Sequence, residues 1–168
     1  MALVTEDGTG KSDAESYISV ADTTTYFSVR GNTTWAAIAT DALREAYLRN
    51  ATEYMIQVYR ERWEGVRYTE DQALDWPRQG VVRDSWQVDI DEIPVEVQRA
   101  CAELALKAST GELAPDLTQG VVREKVDVIE VEYDKSSPQY TRYRSVDAML
   151  KPYLSVTSSG VCVRLVRT

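Results

Sequence analysis

Gly8-Thr9-Gly10-Lys11-Ser12 ends like a phosphate-cradling loop, in which glycine N–H groups and a lysine hold a nucleotide. The full motif needs another glycine five residues before Gly10, where Thr5 stands, and a buried strand ahead of it, where only Ala2 to Thr5 are available. A flexible polar arm over residues 1–16 is therefore expected, without a nucleotide. Asp89, Asp91 and Glu92 offer carboxylates to a hard cation, but the glycine and the remaining oxygen ligands of a calcium loop are missing. Their place beside the positive end of a helix starting at Pro94 explains them without a metal. The chain has no histidine, which removes Ser-His and Cys-His nucleophile pairs, histidine-ligated zinc and an imidazole base. Cys101 and Cys162 form no Cys-x-x-Cys and read as free thiols. No spacing singles out a carboxylate pair for acid–base work, so neither an enzyme nor a cofactor is expected.

Arg60, Arg62 and Arg67 interleaved with Tyr59, Trp63 and Tyr68 are the one neighbourhood with the composition of a single-stranded nucleic-acid surface, which needs a basic groove and stacking aromatics. Against it stands the whole chain: 27 acidic and 19 basic residues give a net charge of −8, which repels phosphate on average. Trp63, Trp76 and Trp86 bracket or occupy a long irregular stretch, and sealing of that loop onto the core is favoured over anchoring a partner.

These residues must be positioned by a single domain, since 168 residues leave little room for two. Ser19 offers an N-cap to a short helix that stops at Gly31. From about Thr33 to Trp63, Ala39, Leu43, Ala46, Tyr47, Ala51, Tyr54, Met55, Val58 and Tyr59 recur at three- and four-residue steps, the pattern of a long amphipathic helix with Glu45, Arg49 and Glu53 on a solvated face. Val66 to Glu92 reads as a long loop broken by Trp76-Pro77-Arg78 and Gly80. Pro94 opens a second helix with Gly111 as its stop, and Val97, Cys101, Leu104, Ala105 and Ala108 form the stripe that packs on the first. The β-branched run Val121 to Tyr133 changes phase near Asp127-Val128, the mark of a β-hairpin. Ser145 can cap a last helix ended at Pro152.

Ser155 to Gly160 reads as a tether to a terminal strand whose Val161, Val163 and Leu165 share one face. From the residues alone that strand folds back beside the hairpin or adds to another protein. The fold class is mainly α: a small helical bundle with a β-hairpin and an extended C-terminal arm. Residues 1–154 are the helical domain, with the hairpin inserted at about 121–134, and 155–168 are linker and arm. The longest stretch without charge, Pro152 to Val163, is too short to span a membrane, and MALVTEDGTG lacks the form of a secretory signal.

The order EDGTG, DAESYISVADTTTYFSVRG, ATEYMIQVYRERWEG, QALDWPRQGV, IPVEVQRACAELALKA, EKVDVIEVEYD and VDAMLKPYL resembles the tailed-phage head-tail connector family often labelled "DnaT-like single-stranded DNA-binding protein". Its most specific pieces are Ser16-Tyr17-Ile18-Ser19-Val20 with Arg30-Gly31, and Gln72-Ala73-Leu74 followed by Trp76-Pro77-Arg78-Gln79-Gly80-Val81. Relatives often carry Gly-Pro at the hairpin turn, where this chain has Asp127-Val128.

The resemblance implies a virion protein that forms a ring of about twelve copies between the portal protein and the stopper or tail-completion protein, the closed arrangement that head-to-tail contacts produce. DNA would pass through its lumen without specific binding. The protein would sit in the neck of the virion after assembly in the host cytoplasm. Docking on the portal falls to Val161, Val163, Arg164, Leu165, Val166 and Arg167, and contact with a neighbouring subunit to Trp76, Pro77 and Arg78. A single-stranded-DNA-binding module is the alternative.

Overall fold

The computed structural model describes residues 2–115, 123–126, 129–132 and 142–155. Among these residues four helices form the body: α1 (Val20–Ser28), α2 (Asp41–Tyr59), α3 (Val95–Ala108) and α4 (Arg144–Leu150). Three two-stranded antiparallel ribbons accompany them: β1 (Val66–Arg67) with β2 (Arg78–Gln79), β3 (Val82–Arg83) with β4 (Trp86–Gln87), and β5 (Arg123–Val126) with β6 (Ile129–Glu132). The mainly helical class and the hairpin follow the sequence, with Val126 facing Ile129 in register; Asp127-Val128, where the sequence puts the change of phase, lies outside the described residues. The arm, including Val161, Val163, Arg164, Leu165, Val166 and Arg167, lies outside the described residues.

Capping sets the helix starts. Ser19 Oγ accepts the Asp22 N–H at 3.1 Å, and Thr40 Oγ1 accepts that of Leu43 at 3.3 Å. The second cap moves the start of α2 to Asp41, eight residues beyond the sequence boundary at Thr33. Residues 33–39 instead tuck Trp35 into the core, fully buried, with its Nε1 donating to Thr24 Oγ1 at 3.1 Å. Pro94 stands at the cap position of α3, and Gly111 donates its N–H to the Lys107 carbonyl just past the helix end. Helix α4 begins at Arg144, so Ser145 is inside its first turn rather than capping it.

The core is the packing of α2 on α3, closed by α4 and α1. Leu48, Ala51 and Met55 of α2 and Val97, Ala100, Cys101, Leu104 and Ala105 of α3 are all fully excluded from water. Small residues at this seam let the helices approach closely. The Cys101 thiol lies 3.4 Å from Thr52 Oγ1 and 3.9 Å from Ser16 Oγ, joining α3, α2 and the N-terminal segment, and burial raises its pKa. It is a packed thiol, not a reactive one.

The N-terminal segment is not a free arm. Thr5 bridges Ser16, and Glu6, Ala14, Ser16 and Tyr17 are buried. Arg49, placed by its spacing on a solvated face, pairs with Glu15 at 2.9 Å and so ties this segment to α2. Solvated i,i+4 ladders and such cross-links look alike in sequence, because the partner is supplied from 34 residues away.

Candidate functional site: the Trp86 ribbon and the arginine cleft

The stretch from Val66 to Glu92 stays irregular over 68–77 and 88–92 but is pinned by two short ribbons, and its ordering comes from buried polar side chains. Gln72 Nε2 donates to the carbonyls of Leu74 and Pro77 at 2.8 and 3.1 Å, while its Oε1 accepts the Thr69 N–H at 2.8 Å. Arg78 donates to the carbonyls of Glu64, Gly65 and Asp75 at 2.7, 2.7 and 3.1 Å. Burial lowers the Arg78 pKa, with nearby Asp75 acting in the opposite sense. Each buried donor thus satisfies a carbonyl that a turn would otherwise leave orphaned.

Trp76 is wholly buried within an aromatic series. Its ring centroid lies 5.7 Å from Trp63 and 5.7 Å from Tyr153, both edge-to-face, and Trp63 continues to Tyr59 at 5.9 Å. Pairs of this kind are worth about 0.5–1.5 kcal/mol each beyond their area. Trp76, Pro77 and Arg78, expected to face a neighbouring subunit, are therefore interior residues that hold the loop. The expectation of sealing holds for Trp63 and Trp76 and fails for Trp86, whose indole is 80% exposed.

Trp86 sits on β4 directly opposite Arg83 of β3. Asp84 and Ser85 join them with φ of 49° and 71°, the two-residue turn whose twist suits a tight hairpin. Val88 donates its N–H to the Val81 carbonyl at 3.0 Å, and Val81 is fully buried, so the base of the ribbon is fixed while its tip is presented to solvent. Six of the nine exposed large apolar side chains among the described residues fall between Val66 and Val95, at Val66, Tyr68, Val82, Trp86, Ile90 and Val95.

Behind Trp86, Arg83 Nη1 reaches Glu96 at 2.7 Å and Tyr153 Oη at 2.6 Å, and the Tyr153 hydroxyl donates to Glu96 at 2.8 Å. Burial alone would raise the Glu96 pKa, but hydrogen bonds from Tyr153, the backbone and Arg83 outweigh it and hold the carboxyl below its ordinary range. Burial, then the bond to Glu96, pushes the Tyr153 hydroxyl up to about 12. The triad locks β3, α3 and the C-terminal turn together, making the ribbon's base rigid.

The basic neighbourhood is assembled differently from its sequence pattern. Arg60 and Arg67 meet Arg78 around Asp75 in a cleft of about 260 Å³, whereas Arg62 lies over the Tyr59 ring, 5.4 Å from its centroid. Asp75 Oδ1 accepts from Arg60 Nε at 2.9 Å, and its Oδ2 is buried without a partner. Tyr59 and Trp63 are buried, which leaves Tyr68, 37% exposed, as the sole ring of the proposed stacking set that bases could reach. A run of stacking platforms is absent among the described residues.

The glycine-lysine loop is an anion nest filled from within. Glu6 Oε1 accepts the N–H groups of Asp7, Gly8 and Gly10 at 3.1, 3.0 and 2.9 Å, and Oε2 accepts that of Lys11 at 2.8 Å. Lys11 itself pairs with Asp7 at 2.9 Å. No nucleotide phosphate has a place there. Asp89, Asp91 and Glu92 stand just ahead of α3, as their order implies, and no metal-holding group of side chains occurs among the described residues. Nor is any described helix long and apolar enough to cross a membrane.

The helical body thus buries Trp35, Trp63 and Trp76 and presents Trp86 on a ribbon. The chain belongs to the family described as "Putative DnaT-like ssDNA binding protein", whose model matches residues 1–168. No curated protein and no solved structure matches the chain.

Proposed function

We propose that the protein is a structural adaptor of a tailed-phage head-tail connector, acting through protein contacts as a ring between the portal and the stopper or tail. The observation that carries a protein-docking role is the exposed Trp86 ribbon within the apolar stretch Val66 to Val95, set against the burial of Tyr59 and Trp63. An indole held open to water on a rigid ribbon is a typical anchor of protein interfaces. The phage assignment is supported by the sequence resemblance, whose most specific segments supply the buried Tyr17, Gln72, Trp76 and Arg78 that build the body. The C-terminal arm is the proposed portal contact, and the virion neck the proposed location. An acidic chain also suits a conduit through which DNA slides without sticking.

A second reading, single-stranded-DNA binding, is favoured by the family's description and by the cleft of Arg60, Arg67 and Arg78. Co-purification with the portal of the same phage, run beside fluorescence anisotropy on a single-stranded oligonucleotide, separates the two. The adaptor reading expects a portal complex, and DNA affinity no better than the nonspecific range of ~10⁻⁴ to 10⁻⁶ M. Sub-micromolar DNA binding without a portal complex would establish the second reading instead.

A further inference from the structure

The groove beside Trp86 has a shape and charge that match a segment of the chain itself. It measures about 300 Å³ and is walled by Trp86, Val88, Pro94 and Val95, with Arg83 and Glu96 at its floor. Asp84, Asp89 and Glu92 complete the rim, so four carboxylates face one guanidinium. The site is apolar along its wall and acidic at its edge. Trp86 and Val95, 80% and 44% exposed, leave apolar area in water that a suitable side chain would cover.

Tyr153 also lines this groove, two residues before the described body ends at Ser155. Beyond it come the tether and Val161-Cys162-Val163-Arg164-Leu165-Val166-Arg167-Thr168. In an extended segment Val161, Val163, Leu165 and Arg167 fall on one side, three apolar side chains followed by a cation, with Arg164 on the other. That order mirrors an apolar wall with an acidic rim. The five residues from Val156 to Gly160 span up to about 17 Å when extended, and a tether that short gives the arm a high effective concentration at a groove its own Tyr153 borders.

We propose that the Trp86 groove is the seat of the chain's own C-terminal arm in the free protein, with Val161, Val163 and Leu165 against the indole wall and Arg164 and Arg167 on the rim carboxylates. The arm's apolar face is thereby covered until a partner competes for it. The proposal goes beyond the adaptor reading and does not depend on it.

Tryptophan fluorescence reads the seat directly, because Trp35, Trp63 and Trp76 are buried and Trp86 is the one exposed indole of the four. Acrylamide quenching is measured on the full chain, on a chain ending at Ser159, and on Val163→Asp/Leu165→Asp, with Trp86→Phe in each background to assign the signal. The full chain should show all four indoles protected. The truncated and double-substituted chains should gain a readily quenched class that Trp86→Phe removes, and a synthetic peptide of residues 160–168 should suppress it again. A full chain whose Trp86 is already as quenchable as in the variants overturns the proposal. So does protection that disappears on dilution to monomer, which would place a second copy's arm in the groove. Should the truncated chain unfold, the double substitution and the peptide decide the matter, since neither shortens the chain. The measurement uses the free chain alone, so its failure leaves the adaptor reading standing.

Discussion

The Glu6 carboxylate accepts the Gly10 N–H at 2.9 Å and, with three further N–H donors, fills the loop that its sequence offers to a phosphate. Gly8 in the same loop, at φ 101°, lies so close to the Asp91 carbonyl that a Cβ there would come within 1.8 Å of the oxygen. The loop is thus held by its own carboxylate and packs closely against the approach to α3.

Glu6→Ala leaves four loop N–H groups without their acceptor and should cost about 2–3 kcal/mol, the range for hydrogen bonds to a buried charged group. Glu6→Gln, which keeps one good acceptor, should cost less. Urea unfolding measures both, and a Glu6→Ala chain within about 0.5 kcal/mol of the parent, the scatter of neutral surface changes, contradicts the nest.

Trp76 and Trp86 should behave oppositely. Trp76→Ala removes a buried ring from the aromatic series and should destabilise by about 3–5 kcal/mol. Trp76→Phe should lose much less, since it also removes an indole N–H that is buried without a partner. Trp86→Ala should leave stability within about 0.5 kcal/mol, as exposed substitutions do, while weakening portal binding. Thermal melts and a portal pull-down on the three variants give the comparison.

The Arg83–Glu96–Tyr153 triad gives stability a defined pH dependence. The folded pKa of Glu96 is held below its ordinary value of 4.5, so its contribution is present above that value and is lost as pH falls through the folded one. Glu96→Gln should therefore flatten the fall in stability below pH 4.5 relative to the parent chain. Chemical denaturation across that range tests it, and parallel curves for the two proteins would contradict the linkage.

The helical core was legible because caps and periodicity are local. Ser19, Pro94 and the Val97-to-Ala108 stripe announce their elements within a few residues. What is not legible depends on partners far away in the chain. Nothing near Arg49 names Glu15, nothing in Gly8-Thr9-Gly10 names Glu6 as its anion, and Trp63, Trp76 and Trp86 look equivalent until Tyr153 packs on Trp76 and Trp76 on Trp63. The signal that could have separated them is local after all. Gln72 and Arg78 flank Trp76 with long donors suited to buried turn carbonyls, whereas Trp86 follows Asp84-Ser85, a tight turn that points outward.

Charge reversal separates the two readings of the arginine cleft. Arg60→Glu with Arg67→Glu should abolish whatever weak, salt-sensitive DNA binding the chain has and leave portal binding intact, because the protein contact is placed on the Trp86 ribbon and the arm. Anisotropy over a salt series and a portal pull-down supply the readouts. Loss of portal binding in this variant would move the interface to the cleft.

The central claim is tested most directly by electron microscopy of the chain mixed with the portal ring of the same phage. The adaptor reading predicts a second ring of density stacked on the portal with the portal's own rotational order. That ring should be missing with Val163→Asp/Leu165→Asp. Portal particles that remain bare at saturating concentrations of folded protein would contradict it.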